Sequence, residues 1–341
     1  SILFSQISSG YFTVFQGLQR YTLLAKATLM GSSVGLIIGL PLYYWFGIDA
    51  VVPNILIASF VSLVFTRFYV QKIDLAPLKM SLKRTLVVGR DMVQFGFILN
   101  ITALITLAQT YIIQIYISNS SGDIDQVGFY TAGINLVTTY AGLVFAAISL
   151  DYYPRLAKVI NSRIKFNETI NHQTEIILLL IVPLIGFFLV SIDYLIILLF
   201  SEDFIAIKSM LQWAIVGLMP SVFVLSLATT ILAKGDKKTW FWSESAMNIY
   251  TIGFAIVGYN SMGIEGIGIA YLISKTLHAI QAYIIARTKY LFIFTHESKI
   301  IFIISLIFVI GIFLLVAFDL GELYYFFAIM LCAFSCAYSV L

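Results

Sequence analysis

Charged side chains set inside apolar runs mark where this 341-residue sequence could do chemistry. Lys275 lies deepest. Gly268-Ile269-Ala270-Tyr271-Leu272-Ile273-Ser274 precedes it and Thr276-Leu277-His278-Ala279-Ile280 follows, so an ammonium at that depth needs a partner or a wet cavity. Two readings stand side by side: a structural pair with Glu244 on the preceding antiparallel helix, or an amine in a cavity wall that meets phosphate or sugar. Tyr271 and His278 share the helical face of Lys275. Lys26 and Arg67 fall within about a turn of the ends of their runs, where long stems reach the headgroups, so anchoring competes with function for both. Asp193, at the end of its run, reads as a solvated carboxylate.

Neutral polar residues form rows at helical spacing. Thr102, Thr106 and Gln109 make one, Glu244, Asn248 and Thr251 another, and Ser5, Ser8 and Phe12 a third. The longest runs through Asn135, Thr138, Gly142, Ala146 and Ser149, while Leu136, Val137, Leu143 and Phe145 point elsewhere. Any one such residue can bond between helices. Several rows together are better explained by a shared polar lumen. The candidate substrate contacts are Lys275, Arg67, Gln109, Asn135, Thr138, Asn248 and Glu244.

Other chemistries lack their residues. His172, His278 and His296 are far apart with no metal-ligand spacing, and Gly263-Ile264-Glu265-Gly266-Ile267-Gly268 lacks the lysine of a phosphate-binding loop. Cys332 and Cys336, one helical turn apart in an apolar segment, read as free thiols. No catalytic residue, metal or cofactor is expected. A formal charge of +3 gives nucleic-acid binding no support.

The elements that position these residues are membrane spans. A chain that is 60% hydrophobic and 11% charged, with mean hydropathy +0.98, cannot hide its apolar surface in one water-soluble core. A helix satisfies its own backbone in lipid, and the alternation of a β-barrel is missing, so an all-α polytopic fold is expected. After a first segment ending near Leu18, spans fall near residues 22–46, 51–72, 91–117, 126–150, 174–193, 207–233, 239–259, 265–288, 299–318 and 323–341, about eleven helices in all. Lys and Arg crowd alternate loops, from Arg20 through Lys83, Arg84 and Arg90, then Arg155 and Lys158, then Lys234, Lys237 and Lys238, to Arg287 and Lys289. By the positive-inside rule those loops are cytoplasmic, and the loops of Asp49, Asp123, Asp125, Glu202 and Glu265 are outside. Amphipathic surface helices are expected at Ile73–Arg90 (Leu75, Leu78, Leu82, Leu86) and Tyr152–Gln173 (Leu156, Ile160, Ile164), with Pro154 ending the span before the second.

A weak internal repeat is visible. Gln19-Arg20-Tyr21-Thr22 is answered by Asp236-Lys237-Lys238-Thr239, and Gly47-Ile48-Asp49-Ala50 by Gly263-Ile264-Glu265-Gly266. The copies run parallel, and in transporters the substrate path lies between such halves.

The chain resembles the Wzx-type O-antigen and capsule flippases of the multidrug, oligosaccharidyl-lipid and polysaccharide exporter (MOP, or MATE-like) superfamily. The likeness rests on Val127-Gly128-Phe129-Tyr130-Thr131-Ala132, on Pro154-Arg155-Leu156, on Leu198-Leu199-Phe200-Ser201-Glu202-Asp203-Phe204, and on Leu232-Ala233-Lys234-Gly235-Asp236-Lys237. It implies two six-helix lobes around a central cavity. In that frame residues 1–90 are the second half of the first lobe, 91–297 the second lobe and 298–341 an extra helix pair, with the first three helices absent from an N-terminally truncated chain. Where relatives carry an Asp or Arg, this chain has Leu107-Ala108-Gln109-Thr110-Tyr111. The implied function is ion-coupled flipping of a polyprenyl-pyrophosphate-linked oligosaccharide across the bacterial inner membrane, with membrane lipids and polysaccharide assembly proteins as partners. The alternatives are a MATE-like small-molecule or drug antiporter and, from another class, a membrane glycan polymerase or acyltransferase. Such an enzyme wants a large outer loop or catalytic His and Arg residues, and the outer loops here are short.

Overall fold

A computed structural model describes residues 1–73, 81–121, 124–317 and 322–340. Its packing divides the chain into Ser1–Thr85 and Leu86–Leu341, here unit 1 and unit 2. The fold is all-α. Seven stretches of the described residues are long and apolar enough to cross a membrane, and two of them, Tyr21–Val70 and Lys237–Tyr290, double back on themselves, so the seven hold nine helical passes. A 16-residue helix at the start and a 19-residue helix at the end complete the eleven expected.

Unit 1 contains α1 (Ile2–Gly17), α2 (Tyr21–Phe46) and α3 (Val51–Val70), the last two joined by a 3-10 turn at Gly47–Ala50. Small residues let α2 and α3 approach closely. A Cβ placed on Gly31 would meet the Ser62 backbone at 3.1 Å, one on Gly35 would meet Ala58 at 3.5 Å, and one on Gly39 would meet the Asn54 side chain at 2.7 Å. Contacts in that opposed order describe an antiparallel pair, held by van der Waals packing where lipid offers no hydrophobic drive. Outward, Leu36, Ile37, Tyr44 and Trp45 are exposed, as lipid-facing side chains are.

Unit 2 is built around α6 (Arg163–Val190) and α8 (Lys208–Val216). Ile181, Ile185 and Leu189 of α6 and Met210, Leu211 and Ala214 of α8 are buried together at its core. Around them stand α4 (Leu82–Ser121), α5 (Ile124–Lys158), the short α7 (Ile192–Leu199), α9 (Leu218–Ala233), α10 (Lys237–Tyr290), α11 (His296–Ala317) and α12 (Glu322–Val340). The 54 residues of α10 are two helices, because Gly263 breaks the run with φ 61° and ψ −138°. Its first half, 237–262, runs parallel to α4. Lys237 pairs with Asp91 at 3.1 Å, Trp240 Nε1 donates to Thr102, Asn248 Nδ2 to Thr106, and Tyr116 OH to Asn260.

The repeat is real in backbone geometry, but its first motif moves by one residue. Gly47 has φ 54° and ψ −131°, close to the angles of Gly263, and these two turns stand 216 positions apart. At the same spacing, the left-handed residue before each hairpin is Gln19 in unit 1 and Gly235 in unit 2, so Gln19 pairs with Gly235 and not with Asp236. Dihedral angle, which decides the equivalence, is invisible in a comparison of charges.

One expectation about the connections is corrected, and with it the helix end placed at Pro154. Tyr152–Gln173 forms no separate surface helix: α5 runs through Pro154 to Lys158, and α6 begins at Arg163. The missing proline N–H is tolerated because neighbours hold the segment: Arg155 pairs with Asp151 at 2.6 Å and reaches Gln173 at 2.5 Å, and Tyr152 OH donates to the Ser226 carbonyl at 2.8 Å. In the other connection Leu75 and Leu78 lie outside the described residues, while Leu82 and Leu86 belong to the first turns of α4.

Candidate functional site

Lys275 sits on the second half of α10, half-buried, its Nζ 5.3 Å from the centre of the Tyr271 ring. Its side chain lines three neighbouring cavities. The first, about 170 Å³, is walled by Thr106, Gln109 and Thr110 of α4, Tyr130 and Thr138 of α5, and Thr251 and Ser274 of α10. The second, about 260 Å³, adds Gly142 of α5 and Ser221 of α9. The third, about 360 Å³, is bounded by Ser149 and Tyr153 of α5, Thr229 of α9, and Trp240, Glu244 and His278 of α10. One amine thus meets three hollows whose walls are mainly apolar, among them Ile113, Ile134, Leu225 and Met247, with hydroxyls, aromatic rings and the Gln109 amide set into them. An ammonium so placed donates to acceptor-rich anionic groups, and the surrounding groups suit sugar hydroxyls.

Packing fixes this place. Met210 of α8 is fully buried, and a Cβ on Gly133 of α5 would meet its Cε at 2.0 Å, while one on Gly268 of α10 would meet its carbonyl at 2.2 Å. Three helices are therefore pinned at one level. Trp213 Nε1 donates to Glu265 Oε1 at 3.1 Å and ties α8 to the Gly263 turn.

Of the residues singled out in the sequence, Lys275, Gln109, Thr138 and Glu244 come together around these cavities. The others stand elsewhere. Asn135 is exposed on α5 and lines none of the three, and Ala146 likewise, although Thr138, Gly142 and Ser149 from the same row do. Asn248 is 1% exposed and bonds between helices, donating to Thr106 Oγ1 at 3.3 Å and to the Glu244 carbonyl at 2.8 Å. Arg67 belongs to unit 1, exposed near the end of α3. Glu244 has His278 Nε2 3.6 Å from its Oε1, with Lys275 beyond ion-pair distance yet near enough to act on it electrostatically.

Tyr130, Ser274 and Tyr153 also line these cavities and were not singled out as contacts in the sequence. Ser274 adjoins Lys275 and was readable as a neighbour, but the tyrosines carried no signal above the general aromatic content. Among the described residues no cluster of His, Cys, Asp and Glu has the makings of a metal site.

The fold is similar to that of the lipid II flippase MurJ in its inward closed conformation, with a TM-score of 0.58 over 96% of this chain and 70% of that one, at 17% identity. A likeness at that identity speaks to architecture alone. No curated protein matches the sequence. A family model described as polysaccharide biosynthesis protein matches residues 1–209, more than half of the chain. The sequence resemblance to Wzx-type flippases, the MurJ-like bundle and this match agree, and the chain belongs to the polysaccharide biosynthesis protein family.

Proposed function

We propose that this protein is a flippase that moves a polyprenyl-pyrophosphate-linked oligosaccharide from the cytoplasmic to the outer leaflet of the bacterial inner membrane, by ion-coupled alternating access. O-antigen or capsule precursors are the fitting substrates. Membership of a polysaccharide biosynthesis family supports the class of substrate. The observation that carries the reading is Lys275, an amine shared by three neighbouring cavities whose mainly apolar walls carry scattered hydroxyls and aromatic rings. Its ammonium would meet the pyrophosphate, and Gln109, Thr138, Thr106 and Ser274 would meet sugar hydroxyls, with the lipid tail left in the bilayer. No covalent step is required. Asn135, Asn248 and Arg67 enter this reading more weakly, since none of them lines the cavities.

The test is export of lipid-linked oligosaccharide in cells whose only copy is the full-length variant. Lys275→Ala should reduce surface glycan about 10- to 100-fold, as expected for loss of a charge-assisted hydrogen bond to the moving group. Lys275→Arg, which keeps the charge, should retain more. Export unchanged in Lys275→Ala, at normal protein level, would sink the proposal for this residue.

A further inference from the structure

His278 is the most poorly satisfied polar side chain at the site. It is 2% exposed, and neither ring nitrogen has a hydrogen-bond partner. Across from it, Glu244 Oε1 lies 3.6 Å from Nε2, with that carboxyl side chain only 15% exposed. An imidazole carries at least one N–H and a carboxylate only acceptors, so the two are complementary groups held just outside hydrogen-bond range. The two residues also line the 360 Å³ cavity that Lys275 shares.

The charges around the pair are few. Lys275, one turn before His278 on the same half of α10, acts electrostatically on both Glu244 and His278. Tyr250 is coupled to Glu244 from the first half of α10, and Tyr153 faces the cavity from α5. From α9 come Ala228, Thr229 and Leu232, and from α4 Thr102 and Thr106, none of them titratable in the working range. With a carboxylate, a neutral imidazole and an ammonium the group has no net charge.

We propose that Glu244 and His278 form a proton-binding site, holding one exchangeable proton between Oε1 and Nε2, and that this proton is the ion linked to substrate through Lys275. The inference rests on the transport reading above. The proton is exchanged with water, with no bond to carbon, nitrogen or phosphorus broken. Protonation leaves one net positive charge in a poorly screened interior. An anion at Lys275 cancels that charge, so anion and proton strengthen each other's binding, and linkage makes the effect mutual.

Infrared difference spectroscopy on the full chain in lipid nanodiscs, between about pH 5 and about pH 9, reads the site directly. Acidification should raise a protonated-carboxyl band that Glu244→Gln abolishes and whose midpoint moves by about one pH unit, tenfold in proton affinity, in His278→Asn. Inorganic pyrophosphate should shift the wild-type midpoint to higher pH and leave Lys275→Ala unmoved. The site is overturned if no such band titrates, if it persists in Glu244→Gln, or if His278→Asn titrates like wild type. Should Glu244→Gln fail to fold, the His278→Asn comparison decides alone. A midpoint indifferent to pyrophosphate overturns the link to Lys275. Failure here is separable from failure of the transport reading: export intact in Glu244→Gln cells rejects proton coupling and leaves flipping in place, whereas export intact in Lys275→Ala cells rejects the Lys275 role whatever the carboxyl does.

Discussion

Asp236 accepts four hydrogen bonds where α10 begins: from the Thr239 N–H at 3.1 Å, the Thr239 hydroxyl at 2.6 Å, Lys289 Nζ at 3.2 Å and Tyr290 OH at 3.1 Å. It caps the first half of the hairpin and clasps the end of the second half, which returns beside it. Burial alone would raise its carboxyl, but the bonds from Thr239, Lys289 and Tyr290 outweigh it and hold the pKa down to about 2. A depressed carboxyl contributes stability that is complete above its unfolded value, about 3.9, and is lost as pH falls through about 2. Asp236→Ala should therefore lower thermal stability at neutral pH by about 1 kcal/mol, the usual cost of a lost N-cap, and the deficit against wild type should shrink as the sample is acidified over that window. A deficit independent of pH would contradict the ionised clasp. Asp236 was legible only as part of a turn motif, since its partners Lys289 and Tyr290 lie more than 50 positions away. The place of Lys275 along its helix was legible, because it is sequence distance from the Gly263 turn. Which neighbour it faces was not: Asn135 and Thr138 belong to one row, yet a modest rotation of α5 puts Thr138 on a cavity and Asn135 outside it.

At the scale of elements, the hairpin turns carry the constraint. Gly263 occupies a backbone region that side chains rarely enter, and substitution there is strained even though no heavy atom stands within 4 Å of a built Cβ. Gly263→Ala should cost about 1–3 kcal/mol, read as a lower melting temperature in detergent. Gly253→Ala, also without a neighbour within 4 Å but with helical φ, is the control and should be neutral or stabilising. Equal effects at the two positions would remove the dihedral argument. Helix number was readable from hydropathy because each span needs about 20 apolar residues. Helix ends were not. α4 and α5 run to 40 and 35 residues, beyond their apolar windows, since polar turns at the membrane surface keep helical geometry when neighbours bond them, as Gln173 and Ser226 do around Pro154.

At the scale of the whole molecule, orientation is what the charges specify. In a variant with Cys332 and Cys336 replaced by Ser, a maleimide that does not cross membranes should label Lys238→Cys only from the cytoplasmic side and Asp49→Cys only from the outside. Labelling in the opposite sense would invert the topology, and with it the direction of transport proposed here. The Gly263 turn also bears on how the chain enters the membrane during synthesis. A Cβ on Gly266 would lie 1.9 Å from the Gly258 carbonyl, so the two halves of α10 touch backbone to backbone immediately below the turn, and no loop separates them. The first half carries Glu244, Asn248 and Ser243, poor company for lipid. Gln281 donates to Ser243 at 2.7 Å, and His278 faces Glu244. These partners emerge from the ribosome only after the first half is made. The first half of α10 must therefore wait at the insertion machinery until the second arrives, and the two leave for the bilayer as one piece.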